Sequence, residues 1–316
     1  MRLTYNDALE AAVASAMRED DSVFIMSTAV PPALASEFGE TRARSTPISE
    51  PAMTGLAIGA AAAGKRPVVY WRNITFAFNS FDQIVNQAAK IRYMFGGQRA
   101  FPIVFRAVCG GGQRMAAQHS QSPYSIYSHI AGLKVIVPSG PADALGLMRA
   151  AIRDDNVVLC FEPARLGGVE AEVPPDHIVP LGTAEIKRSG SDVTVVAIGY
   201  MVQLALEAAE MLAMEGVSVE VLDPRTVAPL DTAAIRESVR RTGRLVIADE
   251  APPTCSLAAE VIAVVAEDRD TFAQLKSPPV RVCGLPVPVP FSPPLEDHVL
   301  PDAARVAQGV RTALDG

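Results

Sequence analysis

Short β-rich runs alternate with helical runs along the whole chain, and this alternation limits the fold more than any other feature. In the first half the runs "SVFIMS", "RPVVYW", "FPIVFRA", "LKVIVPS" and "NVVLCFE" are separated by helical stretches. These include residues 5–18, "PAMTGLAIGAAAAG", "SFDQIVNQAAKIRYMF" and "ADALGLMRAAIRD". Strands alternating with helices read as a doubly wound parallel sheet. Near 165–185 the pattern breaks into a stretch rich in Pro, Gly and charge, read as a linker with a short hairpin. A second set follows: "VTVVAIG", "VSVEVLD", "RLVIADE" and "PVRVCG", again with helices between. The expected architecture is α/β with two doubly wound domains. The first covers 1–175, a linker 176–190, and the second 191–316.

Composition agrees. The 316 residues exceed the usual size of one domain, and 49% are apolar, enough to cover sheets on both faces. Net charge is −7 with no Lys/Arg run, which argues against nucleic acid and anionic membrane as partners. Cys109, Cys160, Cys255 and Cys283 are far apart and lack metal-ligand spacing, so they read as reduced thiols of a cytoplasmic protein. The first twenty residues read as an amphipathic helix, not a signal peptide, and "GLAIGAAAAG" is too short to span a bilayer.

Few motifs carry chemistry. "GAAAAGK" (59–65) imitates a phosphate-binding loop, but Arg66 stands where Ser or Thr should hold Mg²⁺, and helix precedes strand. Gly64 reads instead as a helix C-cap. "VCGGGQR" (108–114) is either a flexible turn or a loop that must approach a ligand closely. Glu50 lies where Pro51 opens a helix; its carboxylate either serves the helix dipole or reaches a ligand. Ser80 with Gln83 reads as a capping box, leaving Phe76 in the loop before it, as core or as a stacking platform. His119 sits among amides and hydroxyls in "QHSQS", where nothing apolar explains it, whereas His129 reads as structural. Glu50, Phe76 and His119 come from three different strand-to-helix loops, the edge at which parallel sheets bind ligands.

Together these segments resemble a family: the β subunits of the thiamine-diphosphate-dependent decarboxylating component of 2-oxo acid dehydrogenases, of pyruvate, branched-chain and acetoin type. The runs "LTYNDAL", "TPISE", "GLAIGAAAAGKRPVV", "FDQIVNQAAKIRYMFGGQ", "AAQHSQS", "HIAGLKVIVPS", "LDPRTVAPLD" and "LEDHVLPD" carry it in order. The resemblance implies a pyrimidine-binding domain followed by a transketolase C-terminal-like domain. It implies that Glu50 bonds a pyrimidine nitrogen of thiamine diphosphate, that Phe76 stacks on that ring, and that His119 handles protons and the incoming lipoyl group. It implies a potassium site at the carbonyls of Ala151 and Ile152 with Asp154 and Asn156. No "GDG…N" segment is present; the family places it, with Mg²⁺, on an α subunit, in a heterotetramer of two copies of each chain. A lipoyl acyltransferase would receive the acyl group.

The chain departs from the pattern twice. The acidic pair and Gly-rich loop usual after the first strand are replaced by "MSTAVPPALASEFGE", and Tyr70 stands where an acid usually ends the "RPVV" strand. Two rival readings follow: a split transketolase-like ligase that passes the acyl carbanion to a carbonyl acceptor, and a degenerate scaffold subunit.

Overall fold

A computed structural model describes residues Met1–Gly316. The chain forms two compact units: Met1–Cys109 with Ile126–Leu181, and Gly110–Ser125 with Gly182–Gly316.

The first unit holds β1 (Arg2–Thr4), β2 (Val23–Ser27), β3 (Ala43–Ser45), β4 (Arg66–Asn73), β5 (Val104–Cys109), β6 (Leu133–Ile136), β7 (Val157–Pro163) and β8 (Glu170–Glu172). Its main sheet runs β6-β7-β5-β4-β2-β3, all parallel. Every residue of β2 and β7 is buried, the signature of strands covered on both faces. One cover is a pair of packed helices, Tyr5–Glu19 and Pro141–Arg153. Thr4 caps the first of these by accepting the Asp7 N–H at 3.1 Å, and Leu9, Ala12, Val13 and Met17 form its buried stripe. Gly64 lies beyond the helix Glu50–Ala62 at φ +87°, the left-handed turn expected of a C-cap. The expected hairpin near 165–185 does not form, because β8 pairs with β1 at the chain's start.

A second expectation fails at Ser80. Helical structure already begins at Ile74, because the Asn73 carboxamide oxygen accepts the Thr75 N–H at 3.0 Å and its hydroxyl at 2.7 Å. A 3₁₀ segment (Ile74–Ser80) then runs through a π segment (Gln83–Ala88) into an α-helical end (Ala89–Met94). Ser80 is therefore interior, and Phe76 sits on a helical turn rather than in a loop.

The second unit holds β9 (Glu185–Arg188), β10 (Val193–Ala197), β11 (Val219–Asp223), β12 (Thr226–Ala228), β13 (Leu245–Asp249) and β14 (Val280–Cys283). Its sheet runs β14-β13-β10-β11-β9, parallel except for β9. Val193, Val195, Val221 and Val246 of the sheet share a core with Met201, Ala205 and Leu212 of one helix and Val306 and Val310 of another.

Inside the first unit lies one fully buried ion pair. Arg106 on β5 donates to both carboxylate oxygens of Glu162 on β7, at 2.6 and 3.1 Å, and the two residues are 3% and 2% exposed. The guanidinium also lies 4.4 Å from the Tyr70 ring centroid. Tyr70 thus offers a π-face to the cation at the position where the family pattern has an acid. Removing Glu162 would strand the charge. Glu162→Ala is expected to lower stability by about 3–5 kcal/mol in urea titration, while an Arg106→Met/Glu162→Leu double variant recovers most of the loss. A single variant within about 1 kcal/mol of the parent refutes this role for the pair.

Candidate functional site

Each candidate residue follows the carboxyl end of a parallel strand. After β3 the helix Glu50–Ala62 starts with Glu50 itself, with Pro51 in its first turn. The backbone carbonyl of Glu50 accepts the Thr54 hydroxyl at 2.8 Å. The residue as a whole is 9% exposed, and no donor of the chain bonds its carboxylate. Its oxygens are not among the fully buried polar atoms left without a partner, so its desolvation is only partial. The helix terminus offsets only part of that cost, since a dipole at a terminus is typically worth about 0.3–1 kcal/mol. The carboxylate stays open to a donor from outside the chain. The helix packs against the turn Ile74–Ser80, so the structure brings the elements of Glu50 and Phe76 together. Phe76 is half-buried.

His119 ends the short helix Ala116–His119 and is half-buried. Its segment, Gly110–Ser125, groups with the second unit, apart from the unit of Glu50 and Phe76. Within that unit the segment is held by carboxylates. Glu250 accepts the Gly111 N–H at 2.9 Å and the Ser122 hydroxyl at 3.1 Å. Glu296 accepts the N–H groups of Gly112 and Arg114 at 2.7 and 3.1 Å, and the Arg114 guanidinium at 2.7 Å. The Gly run is thus held by side chains of its own unit. A Cβ on Gly110 would lie 2.3 Å from the Glu250 carboxylate, and one on Gly111 2.8 Å from Leu300. The glycines let the backbone close onto side chains of the same unit. None of Arg114, Glu250 and Glu296 was assigned a role from sequence; Glu296 lies in "LEDHVLPD", a run that gave no hint of its partner.

His129 is exposed and packs into no core. The expected potassium groups are brought together but are already in use. The Ile152 carbonyl accepts Arg66 at 3.1 Å. Asp154 accepts the Asn156 N–H and carboxamide at 2.8 and 2.9 Å and pairs with Lys134, and the Asn156 oxygen accepts Arg92 at 2.6 Å. Burial works against the Asp154 charge, but the Lys134 and Asn156 bonds win and hold its carboxyl below the usual range. Three cationic side chains serve these oxygens, which is not an open cage for another cation. No cluster of three or more His, Cys, Asp or Glu could hold a metal elsewhere. No helix is long and apolar enough to cross a membrane.

A parallel α/β unit that carries Glu50 beside an aromatic turn is thus joined in the chain to a second α/β unit that carries the clamped His segment. Residues 1–168 match the transketolase pyrimidine-binding domain and residues 182–306 the transketolase C-terminal domain. The chain is 49% identical over 86% of its length to the acetoin:2,6-dichlorophenolindophenol oxidoreductase β subunit of Cupriavidus necator, covering 80% of that protein. It is 43% identical to the Bacillus subtilis protein of the same name, over 96% of this chain and 95% of that one. It is 42% identical to the pyruvate dehydrogenase E1 component β subunit of Rickettsia felis, over 98% of both. A solved structure described as a split-gene transketolase, inactive β4 tetramer, superposes with TM-score 0.83 at 25% identity, over 99% of this chain and 98% of that one. The chain therefore belongs to the family of β subunits of the acetoin and pyruvate dehydrogenase type, within the transketolase fold.

One buried acid gives the second unit a pH response. Asp249, at the end of β13, is fully buried and accepts the Tyr124 hydroxyl and the Ala251 N–H, the latter at 2.9 Å. Its other oxygen has no partner. Burial pushes its carboxyl up from 3.8 to about 6, against the pull of these bonds. The folded state therefore holds a proton that the unfolded chain has lost. Stability falls as pH rises from about 4 to 6, by an order of 3 kcal/mol, and the penalty stays in place above that. Melting curves of parent and Asp249→Asn from pH 4 to 7 should diverge, the variant gaining relative to the parent across this window. Parallel curves would show that Asp249 does not titrate there.

Proposed function

We propose that this chain is the β half of a thiamine-diphosphate enzyme of 2-oxo acid dehydrogenase type, active only with an α subunit, and that it passes an acyl unit to a lipoyl-bearing protein. The observation that carries the reading is Glu50: a residue only 9% exposed, its carboxylate without donors from the chain, on a helix that packs against the turn of Phe76. Those two residues fit the pyrimidine ring of thiamine. The carboxylate would take a proton-bearing ring nitrogen and hold the imino tautomer, and the aromatic ring would stack on its face. Thiamine diphosphate, when bound, supplies the electron sink for cleaving the bond beside a substrate carbonyl. His119 moves the protons of acyl transfer.

The diphosphate and Mg²⁺ belong to the α subunit in this reading, and a heterotetramer of two copies of each chain is the assembly. The relatives' names as β subunits support the partner, and so does the neighbour whose β4 tetramer is described as inactive. A potassium ion forms no part of the proposal. A relative at 42% identity named as a pyruvate dehydrogenase β subunit, and two at 43% and 49% named as acetoin oxidoreductase β subunits, favour this reading over the ligase, whose support is a transketolase at 25%. The near-burial of Glu50 without donors weighs against the scaffold, which would have no use for it.

Glu50→Gln in the αβ complex separates a cofactor ligand from a helix-end residue. The amide is nearly isosteric, so the packing loss should stay within about 1.5 kcal/mol. It cannot share a proton with the ring nitrogen in the same way. If that interaction supplies about 4 kcal/mol, proton–deuterium exchange at the reactive carbon of thiamine slows roughly a thousandfold. Unchanged exchange with a lowered melting temperature would make Glu50 a helix-end residue and sink the proposal.

A further inference from the structure

Residues 110–119 combine features that would leave a free segment mobile. Three consecutive glycines start it, and two non-glycine residues adopt left-handed backbone just before the histidine: Arg114 at φ +58° and Ala116 at φ +59°. Such conformations cost of order 1–3 kcal/mol each and persist only where the surroundings over-determine them.

The Gly110 N–H donates to the Gln121 carbonyl at 2.9 Å and closes the base of the loop. At the crown Glu296, 0% exposed, spends its carboxylate on three donors: two backbone N–H groups flanking Gln113 and the Arg114 guanidinium. Arg114 also donates to the Pro293 carbonyl at 3.1 Å and pairs with Asp297 at 2.7 Å, so its strained backbone is held from both sides. Glu250 holds the entry at Gly111 and the exit at Ser122 with one oxygen. Charge-assisted bonds of this kind are the strong ones, and a buried carboxylate so satisfied has little freedom to release its partners.

We propose that Glu296 and Arg114, with Glu250, are the positioning residues of His119, fixing its loop so that the imidazole meets the acyl acceptor. The inference rests on the function proposed above. In the transfer, one sulfur of the lipoyl disulfide bonds the acyl carbon, the S–S bond breaks, and the disulfide takes up the two electrons by which that carbon is oxidised. The carbon's bond to its carrier then breaks, its electron pair staying with the carrier, and its hydroxyl loses a proton to give the thioester, while the other sulfur leaves as a thiolate that takes a proton from His119. Reduction of a dye such as 2,6-dichlorophenolindophenol takes its protons from water and has no thiolate leaving group to be met inside the site. A positioning defect should therefore separate the two activities, which a general loss of folding would not do.

The test uses the αβ complex with lipoyl-domain acylation and dye reduction measured side by side, for His119→Ala, Glu296→Gln and their double variant. Glu296→Gln keeps the shape but turns an N–H₂ toward the Arg114 donors. It is expected to cut lipoyl acylation at least tenfold while dye reduction stays within about threefold. The double variant should be no worse than His119→Ala, because residues that act as one unit are not additive. Hydrogen exchange at the Gly112 and Arg114 amides should accelerate at least tenfold. Should Glu296→Gln not fold, Arg114→Met carries the test: it should show the same selective loss, and Arg114→Lys should restore most of the acylation. Equal loss of both activities, or a double variant clearly worse than His119→Ala, overturns the positioning role. If His119→Ala itself leaves acylation unchanged, the functional reading fails at His119, and the inference with it. A selective loss in His119→Ala without one in Glu296→Gln and Arg114→Met overturns the inference alone.

Discussion

Burial of parallel strands on both faces is the constraint on which the rest depends. A strand such as β2 or β7, with no exposed residue, can offer chemistry only beyond its ends. Glu50 and Phe76 follow the carboxyl ends of β3 and β4, and the His119 segment leaves that of β5. The core thus confines function to short connections, and each connection needs its own means of holding a conformation.

Those means differ. Glu50 is fixed by the first turn of a long helix and Phe76 by the Asn73 cap, both of them local. The His119 segment has no such local support; four residues of helix and three glycines do not hold a shape. Its geometry comes from carboxylates far away in sequence, Glu250 and Glu296, and from a cation within the loop. The same pairing of buried charges recurs in the first unit, where Arg106 and Glu162 join neighbouring strands and Tyr70 covers the guanidinium. Arg106, Glu162 and Glu296 are each met by a charged partner, whereas no donor of the chain bonds the Glu50 carboxylate.

The region expected to hold potassium illustrates the same rule in reverse. Asp154 and Asn156 have the oxygens for a cation, but Lys134, Arg66 and Arg92 reach them. A motif names the ligands it could supply; which donors arrive depends on side chains from other strands and helices. The Ser80 capping box failed for a similar reason. Asn73, seven residues earlier, had already started the helical run, and a cap inside a helix has no free N–H groups to serve.

The sequence by itself determined the alternation of strand and helix, hence two α/β units, because hydrophobic period and turn residues act within a few positions. It also picked out Glu50, Phe76 and His119, since a carboxylate at a helix start and a His in a polar setting stand out against their neighbours. Tertiary structure alone decided that the Glu50 carboxylate lacks donors, that the Gly run is pressed against carboxylates, and that the His119 segment groups with the second unit. Each of these depends on which groups the fold brings to the site, several of them more than a hundred residues apart. Separation of that kind leaves no period or spacing in the sequence, because the contact is made by the fold and not by the chain's local order.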